Sequence, residues 1–153
     1  MKSLQDDTGK RYFLLKQSAD ASLVRDPATG NECYIQNDRL EEIDEESALE
    51  TAARSIDDPI LRLLTNVHDE ETLGLLIELG ERGPLDVRTL LDAYELCESD
   101  LHGRLTVLSA AGLIAEAEIA GERGYRVTET CETALDAIRP RLEPATATDA
   151  RDS

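Results

Sequence analysis

The chain has no tryptophan, one phenylalanine and four tyrosines among its 153 residues. A core must therefore come from Leu, Ile, Val and Ala, a set rich in good helix formers. The three cysteines, Cys33, Cys97 and Cys131, are odd in number and far apart. That excludes a disulfide framework and fits reduced thiols in a reducing compartment. No apolar run approaches the roughly 20 residues of a membrane span. The opening Met1-Lys2-Ser3-Leu4-Gln5-Asp6-Asp7 is too polar and acidic for a signal peptide. A cytoplasmic protein with no membrane partner is expected. A glycine-rich phosphate loop, a nucleophile elbow and a His-Glu-x-x-His helix are all absent. No enzyme activity, cofactor or metal is therefore expected, and the carboxylates read as a solvated surface rather than an acid–base pair.

Cations are scarce as well. Lys and Arg total 16 against 33 Asp and Glu, a formal net charge of −17 at pH 7. The only lysines are Lys2, Lys10 and Lys16. Abundant carboxylates with few lysines and few aromatics resemble the proteins of salt-loving archaea. At about 1 M salt, surface repulsion is screened over roughly 3 Å. An acidic domain is a poor DNA partner at ordinary salt. In molar salt the counterion-release contribution is weak for every protein, so acidity is a weaker objection there.

Along the chain, Arg11–Lys16, Ser22–Arg25 and Glu32–Gln36 read as strands, with turn chemistry at Asp26-Pro27-Ala28-Thr29-Gly30-Asn31. They predict a three-stranded antiparallel meander, too small to be stable without packing on something else. Residues 45–54 can form a helix that bridges to the main domain. Asp57-Asp58-Pro59 supplies a cap and an N-terminal proline for the next helix. Leu73, Leu76, Ile77 and Leu79 predict a helix that begins at Asp69 or Glu70 and ends at Gly80 and Gly83-Pro84. Further helices are expected over 86–95 and about 98–111, the second burying Leu101, Leu105 and Leu108. Gly112 is placed as a C-terminal cap residue. Residues 113–119 and 125–128 read as a hairpin with its tip at Ala120–Gly124. Thr128 caps a last helix with an apolar stripe of Cys131, Leu135 and Ile138. The expected fold is mainly α with small β. The organisation is a β extension over 1–43, a helical linker over 44–58, a main domain over 59–128, a helix over 129–142 and a disordered tail over 143–153.

One stretch stands out. Gly83-Pro84-Leu85-Asp86-Val87 enters a helix, Leu101, Leu105 and Leu108 space the next, and Ala111-Gly112-Leu113-Ile114 turns into a glycine-bearing hairpin that returns through Tyr125-Arg126-Val127-Thr128. Residues 58–138 resemble a winged helix-turn-helix domain of the ArsR/MarR/TrmB type. The sheet of residues 10–40 lies outside that pattern and is similar to an N-terminal extension of haloarchaeal regulator-like proteins. The resemblance implies a sequence-specific transcriptional regulator that binds double-stranded DNA at promoters as a homodimer. It implies a recognition helix presenting Ser99, Asp100, His102, Gly103, Arg104 and Thr106 to the major groove. Arg104 would pair with guanine, while Arg123 at the wing tip and Arg126 beside it would reach phosphate or the minor groove. Cys131, Leu135 and Ile138 would form the dimer interface.

Two features depart from that pattern. Glu98 and Asp100 put negative charge where phosphates approach, and Gly103 inside a helix costs about 1 kcal/mol relative to alanine. They keep a second reading open: a winged-helix module that binds another protein in a transcription or chromosome-associated complex. Glu95-Leu96-Cys97-Glu98-Ser99-Asp100-Leu101 resembles the metal motif of arsenic-sensing ArsR proteins, but Ser99 replaces its second cysteine and the segment falls at the turn rather than on the helix before it. A soft metal wants two or three thiolates. His68 and His102 are isolated and lack metal-ligand spacing.

Overall fold

The computed structural model describes residues 1–139. These form a mixed α+β protein that divides into two compact units, Met1–Asp58 and Pro59 onward.

The first unit is an antiparallel sheet of five strands, not three. The strands are β1 (Ser3–Asp6), β2 (Arg11–Gln17), β3 (Ala21–Arg25), β4 (Glu32–Gln36) and β5 (Leu40–Glu42), in the order β4-β3-β2-β1-β5. The three expected strands, β2, β3 and β4, lie where the alternation puts them. The two additional strands, β1 and β5, are short and polar, and each gains its place by pairing: Leu4 lies opposite both Tyr12 and Glu42. One face buries Leu4, Tyr12, Val24 and Ile35, with Leu14 and Leu40 packed against them. A bulge between Leu14 and Lys16 shifts the β2–β3 register.

Helix α1 (Ala48–Ala53) is capped by a reciprocal box between Ser47 and Glu50. It belongs to the sheet unit and is not a linker. Thr51 is fully buried and donates its hydroxyl hydrogen bond within a cluster containing Ser3 Oγ and the Glu46 carboxylate. Glu46, with only 6% of its side chain exposed, takes the guanidinium of Arg11 at 3.0 Å and that of Arg54 at 2.8 Å. Both oxygens of this nearly buried carboxylate are thereby paired, the condition under which such a group is tolerated.

The second unit is helical. Its elements are α2 (Asp58–Asn66), α3 (Glu70–Arg82), β6 (Leu85–Asp86), α4 (Val87–Tyr94), α5 (Glu98–Ala110), β7 (Ile114–Ile119), β8 (Glu122–Val127) and α6 (Glu129–Ile138). Leu63, Leu76, Leu79, Leu90, Leu101, Leu108, Leu113 and Cys131 are its most deeply buried side chains. Asp69, Asp86 and Thr128 cap α3, α4 and α6, each accepting from the backbone N–H three residues on. Gly80 does not end α3. It stays helical beside Leu135, and the helix stops at Gly83, whose φ of 82° no other residue adopts without strain. Gly112, with φ 76°, closes α5 as expected, its N–H reaching the carbonyl of Ser109.

The small sheet of this unit has the order β6-β8-β7. The hairpin tip is tighter than expected. Only Ala120 (φ 53°) and Gly121 (φ 83°) form it, both in the left-handed region of a two-residue turn. Gly124 lies inside β8, opposite Asp86 and Ala117. A Cβ there would collide with Ile119 and with the backbone of Leu85 and Asp86, so glycine lets β6 lie down on the hairpin. The expected tail over 143–153 and the end of the expected helix, 140–142, lie outside the described residues.

Candidate nucleic-acid interface

Helix α5 is held by Leu101, Leu105 and Leu108, all buried. At 3.6 residues per turn, the side opposite those leucines carries Ser99, Gly103, Thr106 and Ala110. All four are exposed, small and uncharged. Thr106 donates to the His102 carbonyl at 2.8 Å, and Ser99 Oγ lies 3.7 Å from Cys97 Sγ. A Cβ on Gly103 would meet nothing within 4 Å. Along one flank of this ridge, His102 and Glu98 border a groove of about 520 Å³ shared with Arg88 and Leu91 of α4 and Arg123 and Tyr125 of β8.

Arg104 does not stand on the outward ridge. It follows Leu101 by three residues and precedes Leu108 by four, the spacing of same-side neighbours. Its side chain is 16% exposed and points at the start of α3. There its guanidinium meets Asp69 at 2.8 Å, Asp100 at 3.0 Å and Glu71 at 3.8 Å, and donates to the Thr72 hydroxyl. The Asp69 carboxyl is lowered to about 2, chiefly by the Thr72 N–H and hydroxyl, with Arg104 adding to the effect. Arg104 thus ties α5 to the α3 cap, and Asp100 serves the same cluster.

Arg123 is in strand β8 opposite Glu118, not at the tip. It remains exposed, bonded to Glu116 at 2.6 Å and to the Tyr125 hydroxyl at 3.0 Å. Arg126 is exposed and donates to the Val127 carbonyl at 3.4 Å. Arg88, a residue the sequence did not single out, is exposed on the first turn of α4 and forms no ion pair among the described residues. Its position in the groove could have been found from the helical spacing of Val87 and Leu91, which turn Arg88 away from the core.

The expected dimer stripe divides. Cys131 is fully buried and Leu135 nearly so, both within the core of this unit; of the three, Ile138 alone is exposed, at 43%. Cys131, Ala134 and Leu135 share the inward side of α6; Ile138 has the same helical phase but is the last residue of the helix. Burial raises the Cys131 thiol to about 11, whereas Cys33 and Cys97 are exposed. Among the described residues, no group of three or more His, Cys, Asp or Glu could hold a metal ion, and no helix is long and apolar enough to cross a membrane.

These features define a two-unit α+β protein whose second unit presents an exposed helix beside a hairpin. The chain belongs to a family of unknown function, DUF7346, whose model matches residues 1–139. No curated protein and no solved structure matches it.

Proposed function

We propose that the second unit is a winged helix-turn-helix and that the chain is a sequence-specific, DNA-binding transcriptional regulator. One observation carries this reading: the outward ridge of α5 is uncovered and uncharged, and it stands beside a groove lined by Arg88 and the exposed Arg123 of the hairpin. Small side chains let a helix backbone approach base edges closely, and Ser99, Thr106 and His102 supply hydrogen-bonding groups there. Arg88, Arg123 and Arg126 take phosphates and set the register. Arg104 acts as an internal brace rather than as a base reader. As a homodimer, with Ile138 at the edge of the contact, the protein reads a roughly palindromic site with half-sites about one helical turn apart.

A second reading is favoured by a different observation. Glu98 and Asp100 lie in the first turn of α5 and the one arginine of that helix is already paired. Such a helix also suits a protein partner.

Selection from random duplexes in molar potassium chloride, followed by titration of the winner at several salt concentrations, separates the two. Under the DNA reading a consensus emerges. Arg88→Ala/Arg123→Ala/Arg126→Ala then lowers affinity for every sequence and reduces the salt slope by about 2.7, at about 0.9 per phosphate contact. Ser99→Ala/Thr106→Ala relaxes the consensus instead. Absence of any consensus, with a protein co-purifying at constant stoichiometry, supports the second reading.

A further inference from the structure

Beyond that function, the sheet unit carries a surface of its own. Cross-strand partners share a face in an antiparallel sheet. Ser3, Phe13, Arg25 and Glu32 form one such row, and Lys16, Leu23 and Tyr34 form the next. The α1 network, through Thr51 on Ser3 and Glu46 on Arg11, covers the β1–β2 side of this face. The rest of the face is open: Tyr34 of β4 is 62% exposed, and Lys16 at the end of β2 is exposed two strands away, across Leu23.

The charges on this side differ from those elsewhere in the unit. Lys2, Lys10, Arg11, Arg39 and Arg54 are all in ion pairs. The other two cations of the unit, Lys16 and Arg25, form none among the described residues, and Arg25 lies over the Phe13 ring at 5.1 Å. The two cations of this unit without an ion pair therefore share one sheet face with the chain's most exposed aromatic ring: Lys16 lies in line with Tyr34 across Leu23, and Arg25 lies on the next row, opposite Glu32.

We infer that this face, formed by Lys16, Leu23, Arg25 and Tyr34, binds single-stranded nucleic acid. The Tyr34 ring offers a stacking platform for a base, Leu23 extends its apolar floor, and Lys16 and Arg25, both on the β2–β3 side of the ring, take phosphates. Stacking tolerates any base because every base has a π-face, so the site binds with little sequence preference. An acidic peptide would use the two cations but would leave the exposed ring unexplained.

The test is fluorescence anisotropy of the full chain with labelled dodecamers of thymidine and of uridine, over a series of potassium chloride concentrations. Tyr34→Ala is expected to weaken binding about 5- to 100-fold, and Tyr34→Phe to retain it. Lys16→Ala/Arg25→Ala is expected to reduce the salt slope by about 1.4, at about 0.7 per phosphate on a single strand. Lys2→Ala/Lys10→Ala, which removes paired cations, is expected to leave the slope unchanged. None of the five substituted positions is buried, and circular dichroism of each variant verifies folding. The inference is overturned if neither oligomer binds, if binding is indifferent to Tyr34→Ala, or if polyglutamate competes as well as the oligomers do. Repeating the titration with Arg88→Ala/Arg123→Ala/Arg126→Ala keeps this test separate from duplex binding: single-strand binding should persist in that variant.

Discussion

The two units hold themselves together by different means. The second has a leucine core in which Leu76, Leu90, Leu108 and Leu113 are completely buried. The first buries only Leu4, Tyr12, Val24 and Ile35 as its cluster, and fastens its helix through the Glu46–Arg11–Arg54 ion pairs and the Thr51–Ser3 hydrogen bond. Burial of apolar area is non-directional and tolerates neighbours that shift. A buried charge network is directional and loses its benefit when a single partner is removed. The first unit is therefore the more brittle to single polar substitutions and the second the more brittle to cavities.

The largest effect should come from the leucine core. Leu108→Ala is expected to destabilise the second unit by about 3–5 kcal/mol through lost transfer energy and a residual cavity. Denaturant unfolding followed by probes in each unit would show that transition moving while the first stays in place. A concerted shift of both would break the comparison.

Glu46→Ala comes next. It leaves two guanidinium groups without their carboxylate and removes one of the two acceptors in reach of the Thr51 hydroxyl, and about 2 kcal/mol should be lost, since both arginines still reach water. Glu46→Gln should recover part of this through its amide oxygen. Hydrogen exchange in α1 and β2 would report it; equal protection in wild type and variant would contradict the brittle-network account.

A smaller effect distinguishes structure from function on α5. Gly103→Ala meets open space, so it should stabilise the second unit by up to about 1 kcal/mol. If the ridge docks on DNA, the same methyl group should weaken specific binding. A thermal melt and a duplex titration of the one variant should move in opposite directions.

The smallest effect is acid-dependent. Asp69 has its carboxyl lowered to about 2 from 3.8. Its ionised form is therefore favoured in the folded chain. That stability is fully present above the unfolded value and disappears as pH falls through about 2. The melting-temperature gap between wild type and Asp69→Asn should close over that interval. A gap independent of pH would assign the Asp69 role to capping geometry alone.

The sequence made some of this legible and hid the rest for physical reasons. The helices of the second unit could be placed because Leu101, Leu105 and Leu108, and the caps Asp69 and Thr128, act within a few residues of one another. Strands β1 and β5 could not, because Ser3–Asp6 and Leu40–Glu42 have one apolar residue each and owe their form to pairing with each other across the chain. Helix α1 was visible, but its attachment was not: Thr51 finds Ser3 across 48 residues of sequence. The misplacement of Arg104 has a similar cause. Its residue type and its neighbours suggested a base reader, but its partner Asp69 lies 35 residues earlier. Its flank position and its i−4 partner Asp100 followed from helical spacing alone; only the tertiary fold supplied Asp69 and Glu71. The hairpin was legible through its glycines, yet which glycine turns and which clears space for β6 depended on β6 itself.

The central claim is that α5 and the hairpin engage DNA through a small-residue ridge framed by Arg88, Arg123 and Arg126. The most direct measurement is crosslinking and sequencing of the tagged protein across the genome of a high-salt host, with Arg88→Ala/Arg123→Ala/Arg126→Ala beside it. The account predicts sharp peaks that share a motif and vanish in the variant. Enrichment that survives those substitutions, or none in either strain, would contradict it.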